Sequence, residues 1–580
     1  MRGVFATKRS GWSALLASVL ASSSVHADEP PASITTVYSP YELDAVHAAE
    51  RSLGSASDPA PEGKLIERIV AIRLDPVEPR DPAPLVIDIL HTTTKEGVIL
   101  REVLVHPGDR WSGVVVDESA RNLRSLEQLS LVLCVALRAS TPDRVLLVVI
   151  TKDVWSLYPD FAFSVTSGGL ESLTLEPKEK NLFGRRQILS GRMILQPRSL
   201  SLGAAYLEPR LEGRWLSLNV EGNVILSRAT GAPEGSFGEV NIARPLYSMR
   251  TEWAWSTGVS WRDEVYRRYS NAQVASFDER IPWIYRSRRI DQRATLTRSF
   301  GWSRKQDFTV AVAASHTVFR VPDATSYEPV LVEAFVRAAV PTGETRVGPF
   351  VEWRAYANDF LRILDFETLG LQEDYRVGHD VGVRASPVIS ALGSSRNLAS
   401  VRAGASYTVA LGDGLARASV ESVAEAEVDR VSDASIAGGL RVVSPRTGAG
   451  RLVFDVTALD RPRNYLNVRS FVGGEDRLRG YPTRYFVGRN MLAMNFEFRS
   501  RPLELFSSQL GAVAFYDVAR AFESFGHLAP GHAVGVGLRL VLPQIERLVI
   551  RGDVGFPVGA VPSDVAPASF FVTFGQAFRY

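Results

Sequence analysis

Three things are scarce in this sequence: cysteine, net charge and long apolar runs. A single cysteine, Cys134, stands among 580 residues, so no internal disulfide can form. The formal net charge is only +2, too small for a chain that binds nucleic acid as a polyelectrolyte. Beyond the N-terminal thirty positions no apolar run reaches the roughly 18 residues of a membrane-spanning helix, which excludes a helical membrane protein. The histidines are His26, His47, His91, His106, His316, His379, His527 and His532, and none falls into metal-ligand spacing, a triad or a nucleophile elbow. Even His316 and His379, the pair that would suit a barrel hydrolase, have no recognisable partners. No phosphate-binding loop or dinucleotide fingerprint is present. The expectation is therefore a protein that is not an enzyme, with no cofactor, no metal, no catalytic residues and no nucleic-acid partner. At 45% hydrophobic and 22% charged the chain is nonetheless too apolar for wholesale disorder. A soluble multidomain protein or a membrane β-barrel remains.

The N-terminus points outward from the cytoplasm. Arg2, Lys8 and Arg9 form a basic region, Trp12 to Ala21 an apolar stretch, and Val25-His26-Ala27 a small-residue cleavage site. Residues 1–27 read as a signal peptide, and removing their three cations takes the formal charge from +2 to −1. No cysteine follows the cleavage site, so a lipoprotein is not expected. Cys134, inside Leu131 to Leu137, reads as a packed structural thiol.

Residues 28–63 are rich in Pro, Ser, Ala and acidic side chains, as in a linker. Within them Ser39-Pro40-Tyr41-Glu42 has the pattern of a capping box with a first-turn proline, and Gly54 that of a stop, giving a short helix over 39–53. It would serve as a plug, as a docking element, or simply fray. Residues 64–156 read as one α/β module: a strand at Ile66–Leu74, helices at Thr94–Val105 and Asp117–Leu126, then strands at Leu131–Leu137 and Arg144–Lys152. This β-α-α-β-β order resembles a POTRA domain, a periplasmic polypeptide-binding module.

From Asp160 to Tyr580 a period of two takes over. Trp253, Trp255, Val259 and Trp261 share one face of a strand, opposite Ala254, Ser256, Gly258 and Ser260. Leu492, Met494, Phe496 and Phe498 alternate with Ala493, Asn495, Glu497 and Arg499, and Val534 to Leu542 behaves likewise. Large apolar residues facing one way and small or polar ones the other suit a sheet between lipid and a polar lumen. A β-sandwich also alternates, but export without disulfides and aromatic strand ends favour the membrane. In lipid such a sheet must close. Residues 160–580, at roughly 26 per strand and connection, accommodate an all-β antiparallel transmembrane barrel of 16 strands.

The end of the chain carries more. Thr573, Gly575, Phe578 and Tyr580 have the polar-x-Gly-x-x-aromatic-x-aromatic spacing of a barrel β-signal, with Tyr where the last residue is commonly Phe. Upstream come Gly473-Gly474, Arg479-Gly480-Tyr481-Pro482, Gly488-Arg489-Asn490, Asn495-x-Glu497-x-Arg499 and Phe515-Tyr516-Asp517. This ordered set resembles the BamA/TamA-like outer-membrane assembly and translocation superfamily, surface-antigen barrels with POTRA domains. Asn181 to Arg185 is similar to that family's first barrel hairpin.

The resemblance implies that the Arg479-Gly480-Tyr481 loop folds into the barrel, where Arg479 meets an acidic residue of the wall, Asp517 or Glu497. Parity independently points both carboxylates inward, and the planar guanidinium can grip one of them in a bidentate pair. One departure from the family stands out: its Phe-x-Asp motif continues to glycine, where this chain has Val518-Ala519. The implied function is ATP-independent assembly, insertion or translocation of polypeptides at the outer membrane, with the POTRA domain in the periplasm. The partners would be outer-membrane lipids, unfolded outer-membrane or secreted polypeptides, and periplasmic chaperones or accessory lipoproteins. A dedicated two-partner-type secretion transporter and a passive pore are the alternatives.

Overall fold

The computed structural model describes residues 38–78, 91–166, 168–475, 477–545 and 547–577. The expected signal peptide and the last two β-signal residues, Phe578 and Tyr580, lie outside them. No helix among the described residues is long and apolar enough to cross a membrane.

The chain opens with helix α1, Pro40–Leu53. Ser39 Oγ accepts the Glu42 N–H at 3.2 Å, the Ser39 N–H donates to the Glu42 carboxylate at 2.9 Å, and Gly54 ends the helix at φ 60°. A small domain follows, built from β1 (Leu65–Leu74), α2 (Glu96–Glu102), α3 (Gly113–Arg124), β2 (Leu129–Arg138) and β3 (Arg144–Asp153). The central strand is β3, parallel to β1 and antiparallel to β2. Its near-continuous apolar run is explained by cover on both faces. Val145, Leu147 and Val149 pack against Ile99, Val116 and Leu123 of the two helices. Leu146, Val148 and Ile150 pack on the other side, against Tyr41, Val46 and Ala49 of α1. Cys134 lies against the first of these cores, and burial pushes its thiol up to about 12.

From Leu157 to Phe574 the chain forms one closed antiparallel barrel. It has 20 strands rather than the 16 that the sequence suggests. The assumed allowance per strand was too generous, because Leu157–Phe574 divided among 20 strands leaves about 21 residues each. Long connections are confined to three places on the rim away from the small domain: 268–283, 321–343 (with the helix Pro329–Ala339) and 465–489. The outward positions form an apolar belt in which Val312, Leu452 and Leu538 are each about 60% exposed, as a lipid-facing wall requires.

Closure is uneven. The first strand, Leu157–Thr166, pairs with its hairpin partner Gly169–Leu182 over ten residue pairs. It pairs with the last strand, Ser569–Phe574, over only three: Val165 with Phe570, Ser164 with Phe571 and Phe163 with Val572.

The small domain sits on the opposite rim through charged contacts. Arg124 grips Asp374 (Nε at 2.7 Å), while Arg362 bridges Asp374 (3.0 Å) and Asp117 (3.1 Å). Glu102 receives Arg186 at 2.9 Å and Arg210 at 2.7 Å, and Asn181, at the first barrel turn, donates to Thr92 O and Thr94 Oγ1 at 2.9 Å. The turn between Leu364 and Gln372 folds inward over the mouth, where Phe366 O accepts from Arg499 (2.8 Å) and Leu364 O from Arg451 (2.7 Å).

Candidate functional site

The connection at 465–489 does not stand away from the rim. Its base is a two-stranded ribbon, Ser470–Val472 with Phe486–Gly488. The tip descends into the lumen and carries Arg479, Gly480 and Tyr481, each buried. Val472, Leu478, Tyr481 and Phe486 of the loop pack on Ala493, Ala519, Ala521 and Ala533 of the wall. Ala519 is the residue standing where the family pattern has glycine, and here its methyl group is part of the surface that receives the loop.

Arg479 is the centre. Its Nε and Nη2 donate to the two oxygens of Asp517 at 2.8 Å each, and its backbone N–H adds a third bond to that carboxylate at 3.1 Å. Nη1 donates to Glu497 Oε1 at 2.6 Å and to Asp553 Oδ2 at 3.3 Å. The guanidinium carbon lies 3.5 Å from the centre of the Phe515 ring, adding a cation–π contact. One arginine thus draws together three strands of the wall. Each carboxylate comes from an inward position of a strand whose neighbours face lipid, so the alternation itself aims them at the loop.

Close approach of backbones makes this fit possible. A Cβ on Gly480 would lie 2.7 Å from Ala533 Cβ and 2.8 Å from Pro557 N, and one on Gly555 would lie 2.4 Å from Arg479 O. With side chains at either position the loop would stand off the wall and the fork would lose its reach.

The network extends beyond Arg479 and its two expected partners. Asn495 donates to Asp517 at 2.8 Å and to Arg477 O at 3.0 Å. Arg539 binds Asp553 at 2.6 Å, and Arg499 binds Glu497 at 2.9 Å. For Asp553 and Arg539 the one available signal is the inward parity they share with Glu497, whereas Arg499 stands in the Asn-x-Glu-x-Arg run; only the folded loop shows which inward charges are used.

The terminal residues join this network. Thr573 is paired with Arg551 in the last strand. The strand ends at Phe574, and Gly575, at φ 89°, turns the chain inward. There Gln576 accepts from Arg539 at 2.9 Å and Ala577 O from Arg499 at 3.3 Å. The alternation places Phe570, Val572, Phe574, Phe578 and Tyr580 on one face of a single terminal strand; the bend at Gly575 ends that strand at Phe574. Across the seam the loop reaches the first hairpin, where the Thr483 N–H donates to Glu171 at 3.3 Å and its hydroxyl lies 3.4 Å from that of Ser164. The loop therefore spans the seam from inside.

Among the described residues no group of three or more His, Cys, Asp or Glu side chains is placed to hold a metal ion. What the site can do is mechanical: three buried carboxylates and one fork hold a loop, and the loop touches both sides of a short seam.

No family model matches the chain. Over 190 residues it is 28% identical to a Treponema pallidum (strain Nichols) protein described as a putative outer membrane protein assembly factor, a match covering 31% of this chain and 22% of the relative. The chain thus spans about a fifth of that relative's length. Among solved structures it is similar to BamA from Haemophilus ducreyi lacking POTRA domains 1–3 (11% identity, 93% of this chain and 94% of that one, TM-score 0.37). It is also similar to CdiB from Escherichia coli (12% identity, 96% and 92%, TM-score 0.39).

Proposed function

We infer that this chain is an outer-membrane barrel of the BamA/TamA-like assembly and translocation superfamily, and that it assembles, inserts or translocates polypeptides without ATP. The observation that carries the reading is the seam. Three residue pairs close it, against ten in the adjoining hairpin, and the Arg479 loop lies across it on the inside. Each residue pair of an antiparallel ladder holds backbone groups that lipid cannot satisfy, so the shortest pairing is where the sheet opens most cheaply. A client hairpin that pairs there satisfies the freed groups, and burial of its apolar face in lipid drives its release.

In this reading the small domain is a POTRA module in the periplasm that receives extended client segments, and its clients are unfolded outer-membrane or secreted polypeptides. Periplasmic chaperones or accessory lipoproteins would deliver them. Binding and membrane mechanics do the work, with no bond chemistry and no cofactor. A second reading, passage of a polypeptide or of ions through the lumen, is favoured by a cavity of about 510 Å³ bordered by Arg293, Arg346, Arg384 and Arg402.

The test is reconstitution in liposomes with an unfolded outer-membrane barrel client. The native protein is expected to accelerate client folding, and Arg479→Ala to alter that rate. A large ionic conductance with no acceleration would move the function to the lumen.

A further inference from the structure

The three-stranded sheet of the small domain offers a polypeptide two surfaces: the outer edge of β2 and the apolar face opposite α2 and α3. The chain's own residues 38–58 occupy both. At the edge Ser57 stands opposite Leu137 in an antiparallel bridge. The Asp58 N–H donates to Ala136 O at 2.9 Å, the Arg138 N–H to Ala56 O at 3.0 Å, and Ser55 Oγ to Arg138 O at 2.7 Å. On the face, Tyr41, Ala45 and Val46 of α1 cover Leu133, Val148 and Ile150. Among the described residues no backbone segment continues the edge pairing beyond Ala136; further along, the edge is met by a side chain, Arg124 Nη1 donating to Val132 O at 3.4 Å.

Two backbone hydrogen bonds and the Ser55 hydroxyl hold the edge, and α1 rests on the sheet through apolar contact and through the Tyr41 ring, whose centre lies 5.7 Å from Lys152 Nζ. The segment is also joined to the barrel, because Glu42 Oε1 accepts the Gln372 N–H at 3.1 Å, beside the Asp374 that anchors Arg124.

We propose that residues 38–58 are a displaceable cover, which holds the strand-addition surface of the small domain shut until an extended polypeptide with alternating apolar residues takes its place. The edge demands only main-chain hydrogen bonds and the face only apolar side chains at alternate positions, which an unfolded barrel strand supplies. Displacement also breaks the Glu42–Gln372 contact, so arrival of the partner is felt at the barrel rim. The nature of the partner rests on the functional reading above; the cover does not.

The test uses the full chain in detergent, with Cys134→Ser, Ser57→Cys and Leu137→Cys. Directly opposed, non-hydrogen-bonded residues of an antiparallel pair lie about 4.5 Å apart at Cα, within disulfide reach. Two probes are added: a labelled peptide of residues 38–60 of this chain, and an unfolded outer-membrane barrel polypeptide diluted from urea. The reduced protein is expected to bind both, and the oxidised protein to bind each at least about tenfold more weakly. Ala45→Glu, which places a charge against the apolar face, is expected to strengthen peptide binding without any disulfide. Equal binding in both redox states, or reduced protein that prefers the peptide no more than a scrambled one, overturns the proposal. Peptide binding that responds to the lock while the client is ignored supports the cover and overturns the functional reading instead.

Discussion

The wall strands from Gly450 to Phe574 and those from Ser217 to Val443 carry the same kinds of inward side chains, arginines and carboxylates in alternation, and use them differently. In the first region Arg479, Asp517 and Asp553 have no solvent exposure, and the inward charges around them, Glu497, Arg499 and Arg539, are tied to the loop or to the terminal residues. In the second, Arg354 and Asp380 form an equally bidentate pair, at 2.9 and 2.5 Å, but their side chains are 44% and 28% exposed. Arg293 and Arg402 stand exposed beside the open cavity. Geometry of the pair alone therefore says little; what separates the regions is whether anything lies on top. A solvated pair contributes little because water competes for both partners. A buried pair contributes little on formation yet is costly to break, because its partners are left charged and dry.

That contrast gives the largest expected effect. Arg479→Ala leaves three carboxylates buried around an empty fork and should lower stability by about 3–5 kcal/mol. Arg354→Ala should cost about 0–1 kcal/mol. Thermal unfolding in detergent compares the two directly, and equal shifts would erase the distinction between the regions.

Glycine sharpens the comparison at smaller scale. Gly555→Ala drives a methyl group to 2.4 Å from Arg479 O, an overpacking expected to cost about 1–3 kcal/mol and to make the loop accessible to protease. Gly404, inward-facing in the open region, has no foreign atom within 3.6 Å of an added Cβ, its nearest being Glu421 Cγ at 3.7 Å. Gly404→Ala should leave both unfolding temperature and proteolysis unchanged. A loss at Gly404 equal to that at Gly555 would place the constraint in the strands rather than in the loop.

Much of this is readable from residues alone, and the limits have physical causes. Period-two alternation shows that Glu497 and Asp517 face inward, and the ordered motif names Arg479 as the residue to meet them. The same parity holds for Asp553 and for Arg354, and alternation cannot say which stretch of wall a loop will cover. Strand number escapes for a related reason: alternation marks strands but leaves their connections free, and here three long connections sit among many short turns. The capping box at Ser39 and Glu42 defines α1, but its landing place depends on Leu133, Val148 and Ile150, which become a single face only once β2 and β3 are paired. The terminal bend turns on one residue, Gly575, inside a pattern otherwise suited to a straight strand.

The smallest expected effect bears on a third region, the cover, which is held neither as tightly as the loop nor as loosely as the open wall. Burial raises the Glu42 carboxyl above its ordinary range, against the opposing pull of the Ser39 and Gln372 N–H groups and of Arg124 and Arg547. With the cover detached, Glu42 returns to an ordinary carboxylate. The docked state therefore holds the extra proton in the interval between the ordinary and the raised value, so docking carries its full ionisation cost above that interval and is progressively relieved as pH falls through it. Lowering the pH into that interval should thus tighten the cover and weaken binding, to the reduced protein, of a 38–60 peptide carrying Glu42→Gln, whose own docking does not titrate at this position. The same substitution in the protein, which keeps the shape and cannot ionise, should flatten the profile. A variant that keeps the full pH dependence would assign it to another group and leave Glu42 only its contacts with Ser39 and Gln372.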